Sequence, residues 1–338
     1  MGIEEELFCL DAETLEPAAF PTEHLDGERL KAELFTTMVE LATPVCATVE
    51  EAIAELSKLR AQAKELAAEQ GLVLAAAGTW PPAVPEEQPV TAEEVLRRFA
   101  DYAGPSARRQ YCCGLHVHVG VESAEACMER LEAVLPWLPL VLALSANSPY
   151  LAGQETGLAS TRAEILTLLP RTGAPPLFGS YAGWERFAER LVELGLADSY
   201  ARIWWDARPH PRYGTLELRM PDQPTRLDAT AALTALLQAL VAGAEPGGPA
   251  DRGLYAQNRW AALRFGRAAE LVHPDGARLV PVSALLDELL GGLEPVARRL
   301  GGSHLLAPLA ELDQAGEQLE LGRREGLRPL CESLVELT

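Results

Sequence analysis

Apolar and polar residues alternate over several short stretches of the chain, and this alternation predicts β-strands with one face in a core. The predicted strands cover residues 2–10, 33–43, 72–78, 112–121, 203–206 and 215–220. Other stretches carry apolar residues three and four positions apart, which predicts amphipathic helices. These helices cover residues 48–70, 91–103, 124–146, 184–194 and 228–243. After a link at 245–253, the pattern from residue 254 onward is helical with short breaks.

The order of these elements predicts an α+β fold. Strands are scattered among long helices in the first two thirds of the chain, without the even alternation of a doubly wound sheet. We therefore expect one antiparallel or mixed sheet with helices packed on one face, so that the other face is open for a site. A chain of 338 residues suits one large domain or two smaller ones. We expect one domain over 1–338, with the helical segment 254–338 packed on it.

Charged and imidazole side chains occupy the polar positions of four predicted strands. They are Glu4 and Glu6 in GIEEEL, Glu40 in MVELATP, His116 and His118 in GLHVHVG, and Glu217 and Arg219 in TLELRM. Residues two apart in a strand point to the same face, so each of these pairs shares a face. Glu5 points to the opposite face from Glu4 and Glu6. Carboxylates with imidazole and no thiolate suit hard divalent ions such as Mg²⁺ or Mn²⁺.

Each of these strands also has an ordinary structural interpretation. The glutamates at the N-terminus fit a solvated charge run, Glu217 with Arg219 fits an exposed ion pair, and a single strand histidine is commonly structural. A His-x-His pair also occurs in zinc enzymes, so a zinc site stays open as an alternative. The combination on several strands favours a metal site over the separate structural interpretations.

The charge of the chain excludes two classes of partner. The formal net charge is −20, which repels nucleic acid and anionic membrane surfaces. The N-terminal residues MGIEEELFCL lack the basic and apolar regions of a signal peptide, so we expect a cytoplasmic location. Small anionic substrates respond to local charge and are not excluded.

Anion binding in this chain is expected to depend on arginine or on metal. Neither the glycine-rich phosphate loop that ends in Gly-Lys nor a G-x-G-x-x-G pattern occurs in the sequence. The planar guanidinium of arginine matches phosphate and carboxylate groups. The candidates are Arg162 in GLASTRAEI, Arg219, and Arg259 and Arg264 in NRWAALRFG.

Several segments of the chain together resemble one protein family. They are GIEEE, VELATPVC, AAAGTWP, RRQYCCGLHVHVGV, PWLPLVLALSANSPYLAGQETGLASTR, PRTG, WWDARPHPRYGTLELRMPDQPT and NRWAALRFG. In this order they are similar to the type 2 glutamate–cysteine ligases, also called carboxylate–amine ligases, over roughly residues 2–275. The resemblance implies a glutamine synthetase-like fold, in which a curved antiparallel sheet forms a funnel and helices cover its outer face. ATP and Mg²⁺ ions, two or three in number, would bind on the concave face.

The resemblance also implies roles for individual residues. Glu4, Glu6, Glu40, His116 and Glu217 fall on positions that resemble metal ligands. Arg219 and Arg162 are expected to act on the transferring group, and Arg259, Arg264 and His118 to bind ATP or substrate. The implied reaction is ATP-dependent amide formation through an acyl phosphate, joining the γ-carboxyl of glutamate to cysteine or another amine and releasing ADP and phosphate.

The sequence departs from the family pattern near the expected substrate side. Thr161 replaces an aromatic residue, and Ala261 replaces an arginine. The identity of the carboxylate and the amine therefore stays open, as does assembly as a homodimer. Two alternatives to the ligase are a zinc-dependent hydrolase that uses the His-x-His strand and a non-catalytic nucleotide-binding protein on the same fold.

Overall fold

A seven-stranded antiparallel sheet forms the centre of the computed structural model, which describes residues 1–245 and 248–338. Part of the predicted link at 245–253, Pro246 and Gly247, lies outside the described residues. The strands are β1 (Gly2–Asp11), β2 (Leu30–Ala32), β3 (Met38–Ala42), β4 (Leu72–Ala75), β5 (Leu115–Gly120), β6 (Tyr150–Leu151), β7 (Gln154–Glu155), β8 (Thr172–Gly173), β9 (Trp204–Trp205), β10 (Ala207–His210), β11 (Thr215–Leu218), β12 (Glu270–Val272) and β13 (Leu279–Pro281). The main sheet has the order β10-β11-β5-β1-β3-β2, and β4 pairs with the C-terminal half of β1.

Helices and short 3₁₀ turns connect these strands in the described part of the chain. The α-helices are α1 (Val49–Ala68), α2 (Glu94–Ala103), α3 (Pro105–Arg108), α4 (Ala124–Val134), α5 (Leu138–Ser145), α6 (Thr161–Leu166), α7 (Tyr181–Glu193), α8 (Leu227–Gly243), α9 (Arg252–Phe265), α10 (Val282–Arg299), α11 (Gln314–Glu325) and α12 (Leu327–Leu337). The 3₁₀ helices are Thr22–His24, Pro85–Glu87, Leu135–Trp137, Tyr200–Arg202, Gly266–Ala268 and Ser303–Ala310. None of the described helices is both long and apolar enough to cross a membrane.

The residue alternation along β1 assigns the two faces of the sheet. Ile3, Leu7 and Cys9 belong to the large core beneath the helices, whereas Phe8 and Leu10 belong to a second core on the opposite face. Glu4 and Glu6 lie on the same face as Phe8 and Leu10, because strand side chains alternate with a period of two. That face is therefore polar at one end of β1 and apolar at the other.

The helices that cover the first face pack around α8. Every residue of α8 from Ala229 to Val241 is buried, which is typical of a helix surrounded by protein on all sides. It contacts α1, α4, α10, strand β5 and the 3₁₀ helix Ser303–Ala310. The C-terminal segment thus lies against the sheet through α8, and α12 also contacts β4. This layer confirms the predicted α+β arrangement of helices on one face of an antiparallel sheet.

Two predicted elements near the polar end of β1 differ from the structure. The strand predicted over 33–43 is interrupted, and Leu34 and Phe35 leave the sheet together to fill the second core. The helix predicted to begin with a cap at Thr91 begins at Glu94, because the Thr91 hydroxyl donates to the Glu33 carbonyl oxygen at 2.6 Å. Glu33 is therefore held in a loop beside the sheet.

Other differences concern the ends of elements. The strand predicted over 203–206 is reduced to β9, which pairs in parallel with β8 outside the main sheet, while the unpredicted β10 forms the sheet edge. The segment from residue 254 onward is not helical throughout, because β12 and β13 form a hairpin within it. The helical segment predicted over 124–146, with possible breaks at Pro136 and Pro139, is divided near Pro136 into α4, a 3₁₀ turn and α5, as the prolines predicted. Proline cannot donate the backbone hydrogen bond that a continuous helix needs.

Candidate active site

Strand pairing brings the polar positions of four strands onto one patch of the sheet. The register places Glu4 opposite His116, Glu6 opposite Glu40, and Glu217 opposite His118. Directly opposed residues in antiparallel strands have Cβ atoms roughly 4.5–5.5 Å apart, so their side chains meet. The patch thus collects carboxylates and imidazoles from β1, β3, β5 and β11 on one face.

Glu4, His118 and Glu217 form the first candidate metal-binding group in this patch. Each residue offers one ligand atom, and the three atoms lie within 4.8 Å of one another. His118 Nε2 lies 3.6 Å from Glu4 Oε2 and has no hydrogen-bond partner among the described residues. The other ring nitrogen, Nδ1, lies 3.1 Å from the Thr215 hydroxyl. A histidine anchored through one nitrogen with the other one free is the usual arrangement of a metal ligand.

Glu6, Glu33 and Glu40 form the second group, again with ligand atoms within 4.8 Å of one another. Burial raises the pKa of Glu6 to about 7, and the negative charge of Glu40 raises it further against the opposing effect of Arg162. Burial and the charges of Glu6 and Glu40 also hold the pKa of Glu33 well above its ordinary value. Carboxyl groups that repel one another in this way are relieved when a cation binds between them.

The ammonium group of Lys31 lies between the two groups. Its Nζ is 3.0 Å from Glu4 Oε1 and 2.5 Å from Glu40 Oε1, so it contacts one member of each. Although burial opposes it, the charge of these two glutamates raises the pKa of Lys31. The ammonium group of Lys31 therefore bridges the two groups. This contact and the all-oxygen and imidazole donors fit Mg²⁺ or Mn²⁺.

Two arginines hold Glu217 in its ionised form. Arg208, directly opposite on β10, donates from Nε to Glu217 Oε2 at 2.6 Å and from Nη2 to Oε1 at 3.2 Å. Arg219 also donates to Glu217 Oε1. Burial alone would raise the pKa of Glu217, but the charges of Arg208 and Arg219 hold it well below its ordinary value. The carboxylate is thus negatively charged at neutral pH.

His116 lies between the two groups. Its Nδ1 is 3.4 Å from Glu4 Oε2 and also 3.4 Å from Arg219 Nη1, and its Nε2 is 3.9 Å from Glu6 Oε1. Burial, together with the charge of Arg219, lowers the pKa of His116 to about 3. The imidazole is therefore neutral, which is the form that can offer a lone pair to a metal ion.

Arg162 reaches the patch over a glycine. Its guanidinium donates to the carbonyl oxygens of Met220 and Arg219, each at 3.1 Å, and a Cβ at Gly114 would collide with it. The Gly114 amide donates to Glu6 Oε2 at 2.6 Å. The glycine that opens GLHVHVG thus lets the guanidinium lie next to the second group.

Comparison with known proteins assigns the chain to a family. The sequence model described as glutamate-cysteine ligase family 2 matches residues 1–331. The chain belongs to glutamate–cysteine ligase family 2. A relative from Rubrobacter xylanophilus, named "Putative glutamate–cysteine ligase 2-3", is 39% identical over 100% of this chain and 96% of its own length. A relative from Sorangium cellulosum, named "Putative glutamate–cysteine ligase 2", is 36% identical over 99% of this chain and 95% of its own length.

Solved structures show the same fold at low sequence identity. A glutamate–cysteine ligase from Francisella tularensis, determined in complex with AMP, has a TM-score of 0.73 at 15% identity and covers 99% of this chain and 87% of its own. A bifunctional glutathione synthetase from Pasteurella multocida has a TM-score of 0.69 at 14% identity and covers 99% of this chain and 52% of its own. The fold is therefore glutamine synthetase-like. Membership of glutamate–cysteine ligase family 2 makes the protein an ATP-dependent ligase that forms C–N bonds.

Two of the arginines predicted from the sequence lie apart from the two groups of candidate metal ligands. Arg259 donates from Nε to Asp206 Oδ2 at 2.8 Å and faces a separate cleft of about 720 Å³. Arg264 donates to the Gly157 carbonyl oxygen and lies over the ring of Phe265, 5.1 Å from its centre. Their expected contact with ATP or substrate stays a prediction, and the structure brings neither to the two metal-binding groups.

Three residues of the patch were not assigned to it from the sequence. Glu33 and Glu40 would point to opposite faces of the continuous strand predicted over 33–43, so only the observed loop brings them together. Lys31 and Arg208 acquire their partners through strand register. Register between distant segments has no local sequence signal, whereas the same-face alternation of Glu4 and Glu6 does.

Proposed function

We propose that the ligase phosphorylates a substrate carboxylate with ATP and joins the resulting acyl phosphate to an amine, with residues 1–338 acting as one catalytic domain. One observation carries this proposal: two three-residue groups of metal-binding side chains lie side by side, with Arg162 and Arg219 next to them. Phosphoryl transfer depends on positioning and on stabilising charge, and this patch offers groups for both.

The proposed reaction has two steps, phosphoryl transfer and amide formation. An oxygen of the substrate carboxylate attacks the γ-phosphorus of ATP, the bond to the bridging oxygen breaks, and ADP leaves. The amine nitrogen then attacks the carbonyl carbon of the acyl phosphate, phosphate leaves with the bonding electrons, and the nitrogen loses a proton. The product is an amide, and the net change is one ATP to ADP and phosphate.

The carboxylates and imidazoles of the patch are the proposed ligands of two Mg²⁺ ions. Glu4, His118 and Glu217 would hold one Mg²⁺, and Glu6, Glu33 and Glu40 a second, with the neutral His116 between them. Bound Mg²⁺ would neutralise phosphate oxygens and polarise the group being transferred.

Arg162 and Arg219 would also act on the phosphoryl group that is transferred. Burial opposes it, but the carboxylate of Glu217 raises the pKa of Arg219, so this guanidinium stays cationic beside the transferring group. Arg162, fixed over Gly114, would stabilise negative charge next to Glu6.

The substrates are proposed from the relatives. Their names support glutamate as the carboxylate and cysteine as the amine, and the AMP in the Francisella tularensis structure supports ATP as the phosphoryl donor. Thr161 and Ala261 depart from the family pattern, so a different amine is part of the proposal. Assembly as a homodimer and a cytoplasmic location stay predictions.

The test measures ADP release by the purified protein with ATP, Mg²⁺, L-glutamate and a panel of amino acids and small amines. We expect release that depends on one amine and that the Glu4→Gln variant loses. Glu65→Gln, which removes a carboxylate from an exposed position on α1, is the matched control and keeps the activity. Absence of both ADP release and calorimetric ATP binding would contradict the ligase. Hydrolytic activity with Zn²⁺ and no ATP would favour the hydrolase instead.

A further inference from the structure

A second cleft shares a wall with the candidate active site. Phe99, Arg202 and Trp204 line a pocket of about 150 Å³ that also contains Glu6, Glu33, Arg162 and Arg219. The same three residues line a neighbouring cleft of about 320 Å³, together with Arg98 and Arg171. This volume is at the lower end of the range of small-molecule sites. We call it the arginine cleft. Because the two pockets share these three lining residues, the arginine cleft lies directly beside the catalytic pocket.

The arginine cleft is positive in a strongly negative protein. It contains Arg98, Arg171 and Arg202 and one carboxylate, Asp198, among its lining residues. Asp198 is bound to Arg202, with 3.1 Å between Oδ1 and Nε, and Arg202 also donates to the Val95 carbonyl oxygen at 2.7 Å. Two guanidinium groups are left uncompensated in a chain whose net charge is −20. A local positive site of this kind selects a small anion.

Arg171 is held in an unfavourable conformation at the centre of this charge. Its φ is +63°, in the left-handed region that residues other than glycine and asparagine rarely adopt. Its Nε donates to the Arg202 carbonyl oxygen at 3.1 Å, but Nη2 is buried and has no hydrogen-bond partner among the described residues. Strained backbone and an unpaired buried donor both cost free energy, and proteins retain them mainly at ligand sites.

Guanidinium groups cover two aromatic rings of the cleft. The Arg171 guanidinium lies over the Trp204 ring, 5.4 Å from its centre, and the Arg202 guanidinium lies over the Phe99 ring at 5.1 Å. These contacts hold the guanidinium groups in place beside the cleft. A small carboxylate needs only the guanidinium groups, which bind it in the plane of their N–H donors.

We propose that the arginine cleft binds the carboxylate of an amino-acid substrate, with the Arg171 guanidinium supplying positive charge and Arg98 adding charge at the rim. The proposal rests on the proposed function and adds to it a recognition site for the substrate. The carboxylate has two sources, the α-carboxylate of glutamate or that of the amino acid that supplies the amine. In both cases a different group of the same substrate, the γ-carboxylate or the amine, reacts in the adjoining catalytic pocket.

The first test is Arg171→Gly, because glycine adopts a positive φ without strain and the variant is expected to fold. We expect the KM for one amino-acid substrate to rise at least tenfold while the KM for ATP is unchanged. Arg171→Lys keeps a charge without the planar donors and should show an intermediate KM. Arg97→Ala is the matched control, because Arg97 is exposed on α2 and is not part of either pocket.

Substrates that lack one carboxylate identify its source. 4-Aminobutanoate is glutamate without its α-carboxylate, and cysteamine is cysteine without its carboxylate. If the cleft binds glutamate, Arg171→Gly should raise the KM for glutamate and leave that for 4-aminobutanoate unchanged. If it binds the amine substrate, the same contrast should appear between cysteine and cysteamine.

Two results would overturn the proposal: unchanged KM values for every amino-acid substrate, or a rise in the KM for ATP alone. If the unsubstituted protein releases no ADP, the proposed function fails, and calorimetric titration with L-glutamate and with L-cysteine decides the cleft separately. Binding that is present in the unsubstituted protein and lost in Arg171→Gly would support it. Equal binding by both proteins, or binding by neither, would contradict it.

Discussion

Neighbouring glutamates on β1 have opposite environments. Glu5 is fully buried on the helix side of the sheet, where Arg60 donates to both of its carboxylate oxygens at 2.7 and 2.8 Å. Gln223 Nε2 and the Thr230 hydroxyl each donate to it at 2.8 Å. The protein itself supplies every partner that this carboxylate needs, so its role is structural.

Glu6, one position along the strand, accepts a hydrogen bond from the Gly114 amide at 2.6 Å but lies next to other carboxylates. Glu33 and Glu40 lie beside it, and burial with the charge of Glu40 raises its pKa to about 7. Arg60 shows that the fold can hold a buried arginine against β1, yet Glu6 has no such partner on its own face. We call the face with Glu5 the closed side and the face with Glu6 the open side. The contrast favours a cation from solution as the partner of the open side, whereas the closed side holds the strand in place.

The largest expected effect comes from breaking the open side. Glu6→Gln removes a proposed metal ligand, and because loss of even an outer partner of a ligand costs about 10–100-fold, we expect ADP release to fall by more than about a hundredfold. Stability should be unchanged or higher, since a repelling carboxylate is removed. Steady-state ADP release and thermal unfolding of the same preparations measure both. A large drop in melting temperature with activity retained would reverse the assignment of the two sides.

Breaking the closed side should have the opposite signature. Arg60→Met leaves Glu5 as an unpaired buried charge, which costs about 3–5 kcal/mol of unfolding free energy. Urea denaturation measures this loss, and the kcat per folded molecule should be kept. The double variant Glu5→Gln/Arg60→Met should recover part of the loss, because neither buried charge is then left alone. A loss of kcat without a loss of stability would place Glu5 in the chemistry after all.

The local pattern predicted the two sides of β1, but not the composition of the open one. Alternation places Glu4 and Glu6 together and Glu5 opposite, and it does the same for His116 and His118, because a strand has a fixed period of two. The polar positions of two other predicted strands supplied Glu40 and Glu217, and the family resemblance implied that both are metal ligands. These residues do meet in the structure.

The missing members of the site depend on long-range packing. Glu33 enters because Leu34 and Phe35 leave the sheet to fill the second core, which the alternation of residues 33–43 did not reveal. Arg208 meets Glu217 only because β10 pairs with β11 in one particular register. Register is decided by burial and turns across the whole sheet, so single-segment patterns do not contain it.

A smaller effect is expected from the residue that orients His118. Thr215→Val removes the hydroxyl next to Nδ1, which frees the ring to turn, so Mg²⁺ affinity should fall by about 10–100-fold. Saturating Mg²⁺ should restore most of the kcat, since the ligands themselves remain. Titration of ADP release with Mg²⁺ measures both quantities. Thr234→Val is the matched control, because the buried Thr234 hydroxyl has no hydrogen-bond partner among the described residues. Equal Mg²⁺ curves for the two variants would contradict the role of Thr215.

The pH dependence of stability without metal also distinguishes the two sides of β1. In the folded protein burial and Glu40 raise the pKa of Glu6 to about 7 from an ordinary 4.5, against the opposing charges of Arg162 and Arg219. The folded state therefore binds the proton more tightly than the unfolded state, and stability falls as the pH rises from about 4.5 to about 7. The pKa rises from 4.5 to about 7, and one pKa unit corresponds to about 1.4 kcal/mol, so we expect a loss on the order of 3 kcal/mol. Urea denaturation with EDTA across this range should show it, and Mg²⁺ should stabilise the protein more at pH 8 than at pH 5. In Glu6→Gln the slope should become shallower, and an unchanged slope would mean that the open side of β1 does not carry the proton.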